Sequence, residues 1–292
     1  MPLRLAQNID PFSLRALKLT PAAANGYPLT NATGFVVRRG GVAFVVTNVH
    51  VVTGKHSDTG AKLAANQPPP DLLTICCHVT EEMRIGHGVW TYRDERLVGE
   101  AIEPLWYEHP TKDLREWPHP ETFDERVVDV AVLPLKETES VELYEVSLES
   151  EEPNVFIRPG LTVSIIGFPF GDSTGGYFPI WKTGHIASDF DRSANERYFL
   201  VDASTREGMS GSPVIFRPLG PYLGASGEVL VGDGDTSFFL GIYSGRIRPD
   251  ADIGIVWRAK VIAEVLDHAL RLMAAAGTAA QQAVEADGRA SS

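Results

Sequence analysis

Gly34-Phe35-Val36-Val37-Arg38-Arg39-Gly40-Gly41-Val42-Ala43-Phe44-Val45-Val46 is the stretch whose reading sets the fold. Two β-branched and aromatic runs flank a polar, glycine-rich break, which is the composition of a β-hairpin. Comparable short runs recur on the C-terminal side at 72–79, 127–133, 161–167, 184–187, 198–201, 213–216, 238–243 and 254–257, mostly separated by Gly, Pro, Asp or Asn. Many short strands without intervening helices imply an all-β barrel or sandwich. Two stretches interrupt this rhythm. Residues 91–125, rich in Pro, Trp and acid, read as a long loop, and the acidic, turn-rich residues 136–159 read as a connection between two halves. After Trp257 the period changes: Val261/Ile262, Val265/Leu266, Ala269/Leu270 and Met273 recur at helical spacing, so an amphipathic helix is expected. The Ala-, Gly- and polar-rich tail beyond it reads as disordered.

Composition excludes several classes. The 292 residues are 43% hydrophobic, enough for a substantial core, and the net charge of -12 repels phosphate backbones. Nucleic acid is therefore not an expected partner. No apolar run has the length of a membrane span and the first residues lack the apolar core of a signal peptide, so a soluble cytoplasmic protein is expected, with no membrane partner. Cys76 and Cys77 are adjacent, and a disulfide between neighbours is strained, so they read as small buried hydrophobes. A strand through 75–79 would separate Cys77 from Cys76 and His78, so no zinc site is expected. Asp233-Gly234-Asp235 reads as a hairpin turn rather than a calcium loop. No metal or cofactor is expected. His185 reads as structural, and His109 and His119 as exposed loop residues.

Three segments carry chemistry. Gly208-Met209-Ser210-Gly211-Ser212-Pro213-Val214 is a small-residue loop running into a strand, where Gly208 lets the backbone turn so that the amides of Gly208 and Ser210 converge as an oxyanion hole. A serine hydroxyl is a weak nucleophile, so Ser210 needs a base within hydrogen-bond reach and a third group to orient that base. His50 follows the strand of Val45, Val46 and Thr47 and supplies the base. Asp129 places a carboxylate within Val127-Val128-Asp129-Val130-Ala131-Val132-Leu133, a run that otherwise reads as buried, and a buried charge demands a partner such as the His50 imidazole.

Thr47-Asn48-Val49-His50-Val51, Asp129-Val130-Ala131-Val132-Leu133 and Gly208-Met209-Ser210-Gly211-Ser212-Pro213 resemble, in order, the three triad motifs of the chymotrypsin-fold, trypsin-like serine peptidases, and most of all the bacterial glutamyl endopeptidases and HtrA-like proteases. Segments 163–169, 183–187 and 241–245 resemble strands of that family's second barrel. The resemblance implies two six-stranded antiparallel β-barrels with a C-terminal α-helix. The expected organisation is an N-terminal extension at 1–29, a first barrel at 30–140 with the His and Asp, and an acidic connection at 141–158. A second barrel at 159–258 would carry the Ser, followed by a helix at 259–275 and a disordered tail at 276–292. It implies a serine endopeptidase acting on protein or peptide substrates through an acyl-enzyme, with His50, Asp129 and Ser210 catalytic, and it permits a regulatory protein partner. It also implies that Ser204 lies at the base of the primary pocket, near Tyr243, with Ser244, Gly245 and Arg246 along its wall. Uncharged Ser204 gives no reason to prefer Lys or Arg. Arg246 offers a charge-assisted bond to an acidic side chain, but Tyr243 stands where glutamyl endopeptidases have the His that reads glutamate.

Two other readings compete. An α/β-hydrolase would need Gly-x-Ser-x-Gly, which fails at Ser212, and the order Ser, acid, His. The alternative from outside enzymology is an inactive barrel that binds peptides without cutting them, since fold and function separate easily.

Overall fold

The computed structural model describes residues 9–81, 84–93, 107–108, 127–135, 141–148, 154–174, 178–190, 197–248 and 250–290. The opening hairpin is β2 (Ala32–Arg39) and β3 (Val42–Thr47), joined by Gly40 and Gly41 at φ 56° and 80°. Both loop positions have positive φ, so glycine is what allows a two-residue turn here. Both faces of the hairpin are buried. Val36 and Val45 point into one core with Leu19, Leu73, Ile75 and Leu133. Phe35, Val37, Phe44 and Val46, one residue out of phase, point into another.

Among the described residues the N-terminal half is a seven-stranded sheet in the order β5-β4-β1-β2-β3-β7-β6, where a six-stranded barrel was expected. The added strands are β1 (Ala16–Ala22), β5 (Arg84–Arg93) and β6 (Tyr107–Glu108), alongside β4 (Leu72–Glu81) and β7 (Ala131–Pro134). Residues 9–29 are therefore not simply an extension. Helix α1 (Pro11–Arg15) is capped by Asp10, and β1 lies between β4 and β2, with Leu17 and Leu19 alternating into the core. Most of the loop expected at 91–125, with His109 and His119, lies outside the described residues.

The C-terminal half is a closed six-stranded barrel of β8 (Thr162–Gly167), β9 (Ile180–Ile186), β10 (Tyr198–Asp202), β11 (Pro213–Phe216), β14 (Phe238–Arg246) and β15 (Ile253–Arg258). A separate hairpin, β12 (Leu219–Leu223) with β13 (Val229–Asp233), stands beside it. Helix α2 (Val49–Thr53) follows β3, and helix α3 runs from Ala259 to Ala290, past the expected end at 275 and through the segment read as a tail. Residues 274–290 are rich in Ala and contain no Pro, so their helix propensity carries the helix on past Gly277 and Gly288. The buried face of α3 (Val261, Ile262, Val265, Leu266) meets Phe35 and Phe44 of the first sheet and Ile215, Ile242 and Trp257 of the barrel in one continuous core. Arg39–Asp267 and Arg197–Glu264 ion pairs fasten the helix to both halves. The acidic connection is also anchored: Val146 and Leu148 join that core, and the Val146 amide donates to the Val36 carbonyl at 2.7 Å.

Candidate active site

Asp129 lies just before β7 in an extended segment, not within the paired strand. Val128 and Val130 point into the core shared with α3, so Asp129 projects to the other side. Its side chain is 7% exposed and points at α2. Oδ2 of Asp129 lies 2.5 Å from His50 Nδ1 and accepts from the Ser244 hydroxyl at 2.5 Å, while Oδ1 accepts the His50 backbone amide at 3.0 Å. Asn48, the residue before α2, donates its side-chain amide to the Asp129 carbonyl at 2.6 Å. Gly54, at φ 65°, ends α2 with its amide on the His50 carbonyl, which fixes where the imidazole stands.

Charges follow from these contacts. Burial pulls the His50 pKa down, but the adjacent Asp129 charge and hydrogen bond outweigh it, and the imidazole ends above its ordinary value. Burial pushes Asp129 up, but the His50 charge and the bonds from His50 and Ser244 bring its carboxyl below the ordinary range. The pair is therefore built to hold a carboxylate against an imidazole that gains a proton readily.

The serine loop is fixed by two left-handed glycines, Gly208 at φ 92° and Gly211 at φ 89°. A Cβ on Gly211 would lie 1.8 Å from the Thr33 carbonyl oxygen, and one on Gly208 would lie 2.2 Å from that of Phe168. Neither position admits a side chain. Met209 is fully buried in the barrel core. Ser210 Oγ lies 3.5 Å from the Ser244 carbonyl oxygen. It shares with His50 the lining of a cavity of about 770 Å³. Among the described residues the amides of Gly208 and Ser210 donate to no other backbone carbonyl.

None of the remaining expected site residues lines that cavity. Ser204 is exposed, Gly245 is half-buried and Arg246 is exposed. Ser244 spends its hydroxyl on Asp129. Tyr243 is 2% exposed, its hydroxyl is 2.5 Å from Thr205 Oγ1, and its ring covers Gly254, where a Cβ would lie 2.3 Å from Cε2. The Tyr243 ring therefore fills the space between the segment at 204–206 and β15.

Elsewhere, Cys77 is buried, and burial followed by the neighbouring Cys76 pushes its thiol up to about 12. His78 is buried between Tyr144 and Phe178. Among the described residues no cluster of His, Cys, Asp and Glu has the arrangement of a metal site. Asp233 accepts the amides of Asp235 and Thr236, which is a local turn. His185 lies in β9 and is exposed.

Thr33 is a site residue that sequence reasoning missed. Fully buried in β2, it donates its backbone amide to the Ser210 carbonyl at 2.8 Å and its hydroxyl to the Gly208 carbonyl at 2.8 Å. The same hydroxyl accepts the Phe168 amide at 3.1 Å. One side chain of the first sheet thus holds the serine loop of the second barrel. Thr33→Val keeps the shape but strands the Phe168 amide and the Gly208 carbonyl, so stability in urea unfolding should fall by about 1–3 kcal/mol. Unchanged stability would show that other contacts hold the loop.

Residues 32–218 match the trypsin-like peptidase domain, a span that includes His50, Asp129 and Ser210. The chain belongs to the trypsin-like peptidase family: it is a serine-type peptidase, a hydrolase of proteins or peptides. Among solved structures it is similar to the Rv3671c protease of M. tuberculosis. To the active form it is 17% identical, over 88% of this chain and 81% of that one, with a TM-score of 0.44. To the inactive form it is 18% identical, over 88% and 89%, with a TM-score of 0.41. No curated protein sequence matches the chain. Among the described residues no helix is long and apolar enough to cross a membrane.

Proposed function

We propose that the protein is an endopeptidase in which Ser210 attacks the scissile carbonyl, His50 relays the proton and Asp129 orients and charges the imidazole. The reading rests above all on the buried Asp129 carboxylate, bonded to both His50 and the Ser244 hydroxyl, with His50 and Ser210 lining one cavity. Nδ1 of His50 is committed to Asp129, which leaves Nε2 as the base. A rotation of the Ser210 side chain turns its hydroxyl from the Ser244 carbonyl toward that nitrogen, and free enzymes commonly hold such contacts loosely. Ser210 Oγ adds to the carbonyl carbon and its proton passes to Nε2. The tetrahedral adduct collapses as Nε2 protonates the departing amine, leaving an acyl-serine that water hydrolyses by the same relay.

The oxyanion is received by the amides of Gly208 and Ser210. The Glu207 carbonyl accepts the Phe170 amide at 2.5 Å. In a planar trans peptide the N–H points opposite to the carbonyl, so this bond turns the Gly208 amide away from Phe170. A fluorophosphonate probe tests the assignment. Labelling should map to Ser210 and vanish in Ser210→Ala, whereas a folded protein that takes no label would favour the inactive peptide-binding barrel.

Specificity follows from Tyr243. With its ring between Thr205 and Gly254, the primary pocket is shallow, so small residues are the expected acyl side chains. A peptide library should show Ala, Ser and Gly preferred there over Phe, Leu or Lys. Tyr243→Ala should raise cleavage after Phe or Leu by about tenfold or more relative to Ala. Wild-type cleavage centred on large residues would overturn this reading.

A further inference from the structure

The cavity beside Ser210 has its own charge pattern. His50, Lys55, Lys62, Glu207 and Gly208 all line it, and residues 243–246 take no part. The departing amine is the atom that His50 Nε2 must protonate, so the segment released first lies on the His50 side, in this cavity. That placement rests on the triad reading above.

Residues 54–63 fold back on themselves. The His56 amide donates to the Ala61 carbonyl at 2.8 Å and the Leu63 amide to the Gly54 carbonyl at 3.0 Å, and Lys55 pairs with Lys62 in an antiparallel bridge. Side chains of directly opposite residues project to the same face, where like charges repel. Both lysines are exposed and both line the cavity. Among the described residues neither forms an ion pair, although acids outnumber bases 38 to 26 in the chain. The acid among the lining residues, Glu207, accepts the Thr30 hydroxyl at 3.2 Å. The wall at Pro68, Pro69 and Pro70 is conformationally stiff, which limits how far the cavity can reshape. An anion between the two ammonium groups would turn their repulsion into a shared attraction.

We propose that Lys55 and Lys62 form a carboxylate subsite for the departing segment of the substrate, read as an acidic side chain or as a free C-terminus shortly after the scissile bond. The test uses matched peptides with one cleavable acyl half and Glu, Gln or Lys at each of the first four departing positions, each prepared as free acid and as amide. Their kcat/KM is measured with wild-type protein, and their affinity with Ser210→Ala by fluorescence anisotropy. Glu should exceed Gln by about three- to tenfold in at least one position, weakening at about 0.5 M salt. If a free acid alone gains and its amide does not, the C-terminus is the source; if the gain survives amidation, the side chain is.

Lys55→Glu with Lys62→Glu should invert the preference toward Lys, and Lys55→Gln with Lys62→Gln should abolish it, which covers a charge reversal that fails to fold. A Glu-to-Gln ratio within about twofold everywhere, in kcat/KM and in affinity, or a ratio unchanged in the variants, would overturn the subsite. If no peptide is cleaved, the affinities on Ser210→Ala still decide the subsite, and the endopeptidase reading fails separately.

Discussion

Ser210→Ala is expected to lower kcat for peptide hydrolysis by about a millionfold, because triad members act as one unit and losing the nucleophile disables the whole relay. The fold should not suffer. Among the described residues Ser210 Oγ has a single hydrogen-bond contact, at 3.5 Å with the Ser244 carbonyl, while the loop is held by backbone bonds from Thr33, Gly211 and Ser212 that alanine retains. Turnover should therefore collapse while the thermal midpoint stays near that of the parent. Substantial turnover remaining in a pure variant would remove Ser210 from the mechanism.

Asp129→Asn is expected to cost about 10⁴-fold in kcat near neutral pH, since an asparagine can hold the imidazole in the wrong tautomer and cannot stabilise the imidazolium. The pH profile gives a second reading. On the proposed relay catalysis requires unprotonated His50, and with Asp129 present the imidazole pKa is raised, so wild-type kcat/KM should rise with pH through a midpoint above about 6.5. Removing the carboxylate leaves burial as the main influence, and burial disfavours the imidazolium. The residual activity of Asp129→Asn should therefore have its acid limb at lower pH than wild type. An unshifted limb would mean that the titrating group is not His50, or that its partner is not Asp129.

The sequence disclosed what is local. Gly40-Gly41 between two continuous apolar runs specifies the hairpin, and the paired glycines of the serine loop carry their own conformational requirement. Asp129 was legible because an acid in an apolar run has to find a partner. Thr33 and Asn48 were not, since their partners lie 175 and 81 residues away and nothing in their neighbourhood signals them. Strand β1 was missed because Leu17 and Leu19 give only two turns of alternation before Pro21. The end of α3 was misjudged because a polar, alanine-rich stretch suits helix and disorder equally by composition. The filling of the space beside Ser204 by Tyr243 depends on Thr205 and Gly254 both being brought against the Tyr243 side chain, a fact of topology that spacing along the chain does not carry.

The continuous core under α3 has a consequence for how the molecule fails. Phe35 and Phe44 from the half that carries His50, and Ile215, Ile242 and Trp257 from the half that carries Ser210, pack against the same helical face. Neither half can melt without exposing apolar surface belonging to the other, so their denaturation should be coupled into a single event. A protease whose halves loosened independently would pass through states with one half open to digestion by its intact neighbours. Here the loss of structure and the loss of cutting power should coincide, so that on warming a population should contain competent molecules and unravelled ones with few in between.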